Sequence, residues 1–466
     1  MTQSNHDTAW DLLKASIMSF NGSPIGTVAA RDTIKQELNY DQVFVRDFAV
    51  SAYAYLLADE SEIVANFLLE MVRLQRTSRQ FDCFEPGEGL MPASFKVEEV
   101  DGEQRIIADY GERAIARVPP VDSGFWWLLL LHAYVQSTGD RALAERADVQ
   151  NAIRILLDLY LSERFDMFPT ILVSDGSFMI DRRMGVYGYP FDVQALFFAS
   201  LKAVAQLLVD SDENKEYITA TRTRMDHLAY HIRTYYWLDL EQLNHIYRYD
   251  VEEYGEHTAN IFNIYPETIP GWLIDWIPET GGYFAGNIGP ARMDYRYFAH
   301  GNLMAIISGL ATDEQAQAFM ELLRARWDDL VGHMPLKLVF PALQDRDWAI
   351  ITGMDPKNRA WSYHNGGNWP SLVWLLAAAC VCTGAFDILQ RALDDLGPRL
   401  SRDNWPEYYD GQYGRLVGRE ARVLQTWSIA GFLVAEHLAE HPQSLERIGF
   451  ASSGSHTVAG KCQVPA

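Results

Sequence analysis

The sequence predicts an all-α chain closed into an (α/α)6 barrel of about twelve helices, with long functional loops gathered at one end. Three observations carry that expectation. Apolar residues recur at i, i+3 and i+4 from one end of the 466 residues to the other, as amphipathic helices require. The helical stretches fall into pairs with short connectors, Asp59-Glu60, Gly139-Asp140 and Ala311-Thr312, the pattern of antiparallel hairpins. The length exceeds the roughly 250–300 residues that one ordinary core covers. Six hairpins in a ring turn that length into one catalytic domain over residues 1–450, followed by a disordered tail over 451–466. A curved open solenoid fits the same periodicity.

In chain order the helices are expected at 7–20, 45–58, 61–77, 122–138, 141–161, 190–209, 213–235, 299–310, 312–330, 369–383, 385–396 and 417–440. Ser61, Asp122 and Thr312 stand where N-caps belong, and Glu314 adds an acid to the first turn after Thr312. Between the helices lie long stretches, 79–121, 162–189, 236–298, 331–368 and 397–416, holding most of the Gly, Pro, Trp and Tyr. Segments 168–180 and 334–352 can contain short strands. Loops this long are uncommon unless they have a function, so the chemistry is sought there.

Sixty-two Asp and Glu against 39 Lys and Arg give a net charge of −23, a field that repels phosphate backbones and anionic lipid headgroups. Nucleic-acid and membrane partners are therefore not expected. Abundant carboxylates and aromatic rings suit a neutral, hydroxyl-rich ligand, because carboxylates accept hydrogen bonds from hydroxyls and ring faces cover C–H surfaces. Residues Met1 to Trp10 are polar, with no basic and apolar leader pattern, which points to a cytoplasmic protein. Cys83, Cys380, Cys382 and Cys462 form no C-x-x-C pair and read as buried or free thiols.

No H-E-x-x-H, EF-hand loop, G-x-S-x-G elbow or placed G-x-G-x-x-G is present, so neither a metal nor an organic cofactor is expected. The tail Gly454 to Lys461 has one residue too many between its glycines to form a phosphate loop. What remains is carboxylate chemistry. Cleaving an acetal between two sugars needs one acid to protonate the leaving oxygen and one carboxylate acting at the anomeric carbon.

Two acids in aromatic loops are candidates. Asp181 lies in Gly176-Ser177-Phe178-Met179-Ile180-Asp181-Arg182-Arg183, where burial against Phe178 and Ile180 raises its pKa and the arginines lower it. An Asp–Arg pair stabilising a turn is the other reading. Glu407 lies in Asn404-Trp405-Pro406-Glu407-Tyr408-Tyr409, among three aromatics, with a tyrosine-bonded structural glutamate as its alternative. Arg46-Asp47, Asp122 and the run Trp361 to Pro370 supply further groups for hydroxyls. Asp47 and Asp122 also read as helix N-terminal charges or caps, and Trp126 and Trp127 as core.

At these segments the chain resembles the alkaline/neutral invertases, glycoside hydrolase family 100, of plants and cyanobacteria, in a short form without the long N-terminal extension of many plant members. The matching stretches are Phe44-Val45-Arg46-Asp47-Phe48, Pro119 to Trp127, Asp181 to Pro190, Trp361 to Pro370, Trp405 to Gly411 and Gln425 to Gly431. The resemblance implies an (α/α)6 barrel and hydrolysis of sucrose to glucose and fructose with inversion. It makes Asp181 the general acid and Glu407 the general base that activates water. It adds Arg46, Asp47, Asp122, Gln194, His364 and Arg422 as hydroxyl-holding groups, with Tyr187 and Trp369 as walls, and favours a homo-oligomer. His300 departs from the family pattern, where an apolar residue is expected. A different disaccharide hydrolase, a sugar epimerase using histidine, or a non-catalytic sugar-binding protein are the competing readings.

Overall fold

A computed structural model describes residues 4–32, 39–77, 87–113, 117–162, 166–248 and 260–451. The tail beyond 451, Cys83 and Cys462 lie outside the described residues.

Six helices form a closed inner ring. In order they are Val45–Leu57, Ser123–Thr138, Phe191–Leu207, Ala299–Ser308, Val373–Thr383 and Thr426–Glu440, each packing on the next and the last returning to the first. Their sequences explain the position. Val45–Leu57 and Ser123–Thr138 are apolar on nearly every side, and all ten residues of Ala299–Ser308 are buried. Helices of that kind have no face to offer water and must sit inside.

The outer layer is made of Asn5–Ala15, Glu62–Leu74, Ala147–Tyr160, Lys215–Tyr235, Asp313–Ala325 and Phe386–Leu400, which bury one stripe and expose the other. Glu62–Leu74, for example, buries Ile63, Val64, Phe67, Leu68 and Met71 and sends Arg73 outward. This is the (α/α)6 arrangement. Continuous core runs from Ala9 to Phe450. Three inner helices stop on a glycine with positive φ, Gly139, Gly309 and Gly384, where a side chain would be strained.

The sequence placed the helices well and several of their ends poorly. The first helix stops at Ala15 because Ile17–Phe20 pairs as a strand with Ser23–Thr27. The last starts at Thr426, not 417, since 417–425 is irregular chain used by the site. The expected helices 141–161 and 312–330 each break in two, at Arg141–Ala144 with Ala147–Tyr160 and at Asp313–Ala325 with Trp327–Leu330. Short helices at Leu240–Arg248, Gly271–Trp276 and Asp345–Thr352, and the hairpin Ser94–Val100 with Glu103–Asp109, were not foreseen.

Of the three proposed caps, Thr312 forms a full capping box, its partner being Gln315. Ser61 and Asp122 occupy N-cap positions without a side-chain capping bond. For Asp122 the reason is that its carboxylate is engaged elsewhere.

Candidate active site

All six inner helices begin at the same end of the ring, and the residues at their first turns meet there. Helix N-termini carry partial positive charge from unpaired N–H groups, so acids are favoured at that end. Asp47, Asp122 and Asp192 take those positions at the first, second and third inner helices. Arg46 Nε donates to Asp122 Oδ2 at 2.6 Å, tying the first helix to the second. That pairing is why Asp122 does not cap.

Asp181 stands in a loop pinned at several points. Asp175 accepts the Gly185 N–H at 2.8 Å and the Met184 N–H at 3.1 Å, and the Ser177 carbonyl accepts from Val121 N at 2.8 Å. The two arginines after Asp181 do not neutralise it by a turn ion pair. Arg182 instead reaches Asp355 at 2.7 Å, leaving Asp181 Oδ1 without a hydrogen-bond partner among the described residues. His364 Nδ1 is 3.5 Å from that oxygen. The Asp181 side chain keeps 42% exposure. Desolvation by the surrounding protein is the largest influence and raises its pKa; Arg46, Arg182 and Lys357 oppose the rise, and Glu407 reinforces it.

Glu407 is the opposite case, only 2% exposed. Tyr40 Oη donates to Oε1 at 2.8 Å, the Arg422 N–H donates to Oε2 at 3.4 Å, and Lys357 Nζ lies 3.5 Å from Oε2. The tyrosine-bonded glutamate considered from the sequence is thus part of what is present, but it sits within the same charge cluster as Asp181. The loop carrying it is locked by Glu407 N to Arg422 O at 2.8 Å and by paired Asn368–Tyr409 bonds at 2.9 and 2.8 Å. Trp361, Tyr363, Asn404, Trp405 and Leu424 all hold positive φ in these loops. Non-glycine residues in that region cost of order 1–3 kcal/mol each, and they concentrate where a site must be held in shape.

Around the two acids, Asp47 is pushed up to about 7 by burial, with Arg46 lowering it and Glu407, Asp181 and Asp122 raising it. His364 is buried and held neutral, first by desolvation and then by Arg182, Arg46 and Lys357. Lys357 Nζ lies 4.0 Å from the centre of the Tyr363 ring, and the Arg422 guanidinium 4.9 Å from that of Tyr40.

The structure therefore brings Arg46, Asp47, Asp122, Asp181, His364, Glu407 and Arg422 together. Three other candidates are placed differently. Gln194 is fully buried and spends both ends of its amide on Ile171, accepting its N–H at 3.1 Å and donating to its carbonyl at 3.0 Å, so it clamps a strand. Trp369 is 1% exposed, donates Nε1 to the Tyr363 carbonyl and stacks on Tyr408, so it supports the site from behind. Tyr187 is 55% exposed and carries the Arg292 guanidinium 4.6 Å from its ring centre. Among the described residues no group of His, Cys, Asp and Glu is arranged to hold a metal ion.

Residues 9–442 match the family model described as alkaline and neutral invertase. The chain belongs to that family. Cytosolic invertase 1 of Oryza sativa subsp. japonica is 55% identical over 443 residues, covering 94% of this chain and 79% of the relative. Probable alkaline/neutral invertase D of Arabidopsis thaliana is 53% identical, covering 94% and 83%. Among solved structures, a bacterial glucoamylase complexed with acarbose aligns with a TM-score of 0.56 at 11% identity, over 95% of this chain and 56% of that one. A GH63 mannosylglycerate hydrolase from Thermus thermophilus aligns with a TM-score of 0.53 at 12% identity, over 92% and 99%. These last two bear on the fold, and both are glycoside hydrolases by name.

Within this candidate site, Tyr40 and Lys357 were missed by sequence reasoning, whereas Tyr363 belongs to the run Trp361 to Pro370 that it singled out. Lys357 sits in Met354-Asp355-Pro356-Lys357, inside a loop already flagged as long and aromatic, so a basic residue there was a usable signal. Tyr40 lies in a stretch between predicted elements that offered none.

Proposed function

We propose that this invertase-family chain hydrolyses sucrose to glucose and fructose, with Asp181 as general acid and Glu407 as general base. The observation that carries the reading is the contrast between two carboxyl groups in one charge cluster. One is open on one side, with a raised pKa and an oxygen unpartnered among the described residues, and the other is enclosed and oriented by three donors. Two acids whose surroundings differ in this way divide naturally into proton donor and proton acceptor.

In the reaction Asp181 gives its proton to the glycosidic oxygen as the bond from the glucosyl anomeric carbon to that oxygen breaks, and fructose leaves. Glu407 takes a proton from a water whose oxygen forms the new bond on the opposite face, giving β-glucose. Each carboxyl thereby ends in the other's starting state, and solvent exchange resets both. Room for that water calls for a separation of about 6.5–9.5 Å between the two carboxyl groups. Arg46, Asp47, Asp122, His364 and Arg422 hold sugar hydroxyls, and no cofactor takes part.

Residues 1–450 act as one catalytic domain in this reading, supported by the core that continues from Ala9 to Phe450. A cytoplasmic location is supported by the name of the rice relative, whereas other relatives are named mitochondrial or chloroplastic. A homo-oligomer is supported by the exposed apolar group Met167, Phe168 and Leu172, and light scattering on the purified protein tests it.

The test of function is incubation with sucrose, maltose, trehalose and raffinose at pH 7–8 with EDTA, beside Asp181→Asn and Glu407→Gln. Release of glucose and fructose from sucrose alone, lost in both variants, is expected. No hydrolysis by well-folded wild type removes the hydrolase reading.

A further inference from the structure

Arg46 belongs to two environments. Its Nε is bound to Asp122, and its charge is the largest influence lowering the Asp181 pKa. The same side chain also lines a small cavity of about 10 Å³ with Trp126, His300, Ser371 and Trp427. That space suits one water molecule.

The lining is mostly apolar, with Val50, Met179, Leu372 and Leu375, yet it carries several polar atoms unpaired among the described residues. Trp126 Nε1, both ring nitrogens of His300, Ser371 Oγ and Trp427 Nε1 are buried and have no hydrogen-bond partner among the described residues. Each such group costs about 1–3 kcal/mol if nothing satisfies it. Four residues that line one small space and each carry such a buried polar atom offer partners for a bound water. His300 Nδ1 lies 3.8 Å from Asp192 Oδ2, and its ring centre is 5.8 Å from that of Trp126. Asp192 is itself fixed by accepting the Gly301 N–H at 2.8 Å.

We propose that one ordered water occupies this cavity and bridges His300 to Arg46, making His300 a positioning residue that holds the Arg46 guanidinium toward Asp122 and away from Asp181. The proposal rests on the reading of Asp181 as the general acid. Its physical sense is electrostatic. A guanidinium free to swing onto Asp181 stabilises the carboxylate and weakens it as a proton donor, whereas one tethered between Asp122 and the cavity water opposes the raised pKa less. His300 suits the task because burial, with a further contribution from Arg46, lowers its pKa to about 3 and keeps it a neutral hydrogen-bonding partner. An apolar residue at this position can fill the cavity but cannot hold the water.

The test combines a crystal structure with kinetics on wild type, His300→Leu and His300→Gln. Wild type is expected to show one water within about 3.2 Å of a His300 ring nitrogen and of Arg46. His300→Leu is expected to lose it, with Arg46 displaced. On sucrose, His300→Leu loses about tenfold to hundredfold in kcat, any KM change from the displaced Arg46 being shared with α-glucosyl fluoride, and His300→Gln recovers most of the kcat loss. On α-glucosyl fluoride, whose leaving group needs little protonation, the kcat of His300→Leu stays within about threefold of wild type.

A dry cavity in wild type overturns the proposal. So does an unchanged kcat in His300→Leu, or an equal loss on both substrates. If His300→Leu does not fold, the wild-type water and the His300→Gln kinetics decide. If wild type leaves sucrose intact, it is the functional reading that fails, and the bridging water together with the Arg46 position in His300→Leu still decides this one.

Discussion

Replacing Asp192 with asparagine tests the electrostatics of the ring's interior without touching Asp181 or Glu407. Asp192 is 2% exposed, and burial pushes its pKa from 3.8 up to about 7, against the lowering effect of the Gly301 N–H. The sign follows from linkage. Below about pH 4 both folded and unfolded chains hold the proton and Asp192 has no effect on stability. Between about 4 and 7 the unfolded chain releases it first, so the folded state loses stability as pH rises. Above about 7 the loss is complete. At 1.36 kcal/mol per tenfold change, the gap between 3.8 and about 7 amounts to roughly 4 kcal/mol, an upper bound because a buried site relaxes when charged.

Asparagine keeps an acceptor for Gly301 and never ionises. The difference in stability between Asp192→Asn and wild type is therefore expected to grow in the variant's favour from pH 4.5 to pH 8. An unfolding entropy of about 2.1 cal/mol/K per residue makes 1 kcal/mol worth about 1 °C for this chain, so the Tm difference grows by about 3–4 °C. His300 titrates in both proteins with the opposite sign, and its share cancels from the difference while the neighbouring Asp192, 3.8 Å away, stays uncharged. Scanning fluorimetry across that pH range reads the outcome. A Tm difference flat to within about 1 °C refutes the claim that Asp192 is protonated in its buried setting.

Other outcomes follow from single contacts. Tyr40→Phe removes the 2.8 Å hydrogen bond to Glu407 and is expected to cost about tenfold to hundredfold in kcat/KM on sucrose, measured at steady state. Gln194→Leu removes both bonds to Ile171 and is expected to destabilise the fold by about 2–4 kcal/mol in chemical denaturation, with kcat largely kept at low temperature. Gly411→Ala places a Cβ 1.6 Å from the Gly366 carbonyl oxygen, so the Glu407 loop must shift; loss of activity with the helical circular dichroism retained is the expected result.

The helical ring was legible because inner and outer helices differ in pattern. Ser123–Thr138 reads apolar throughout and Glu62–Leu74 reads as one stripe, and length did the rest. Helix ends were less legible where tertiary contacts, not local propensity, set them. Nothing local stops a helix from starting near 417, yet Arg422 and Leu424 are held out of it by bonds to Glu407 and Asn404. Asp181 and Glu407 stood out through their aromatic loop context, and the structure brings both into one cluster. Gln194 and Trp369 looked like ligand groups because polar and aromatic residues near a motif do. Only the fold could show that the amide of Gln194 is used up by Ile171 and that the ring of Trp369 is enclosed. Lys357 and Tyr40, each within reach of Glu407 although distant in sequence, had no periodicity to betray them.

In the proposed reaction Asp181 and Glu407 act on opposite faces of the glucosyl carbon with a water between them. Proton NMR of the first glucose released from sucrose by wild type, recorded before mutarotation, tests this most directly. β-Glucose as the first product is the predicted result. α-Glucose appearing first means retention, and would contradict the assignment of Glu407 as a base acting through water.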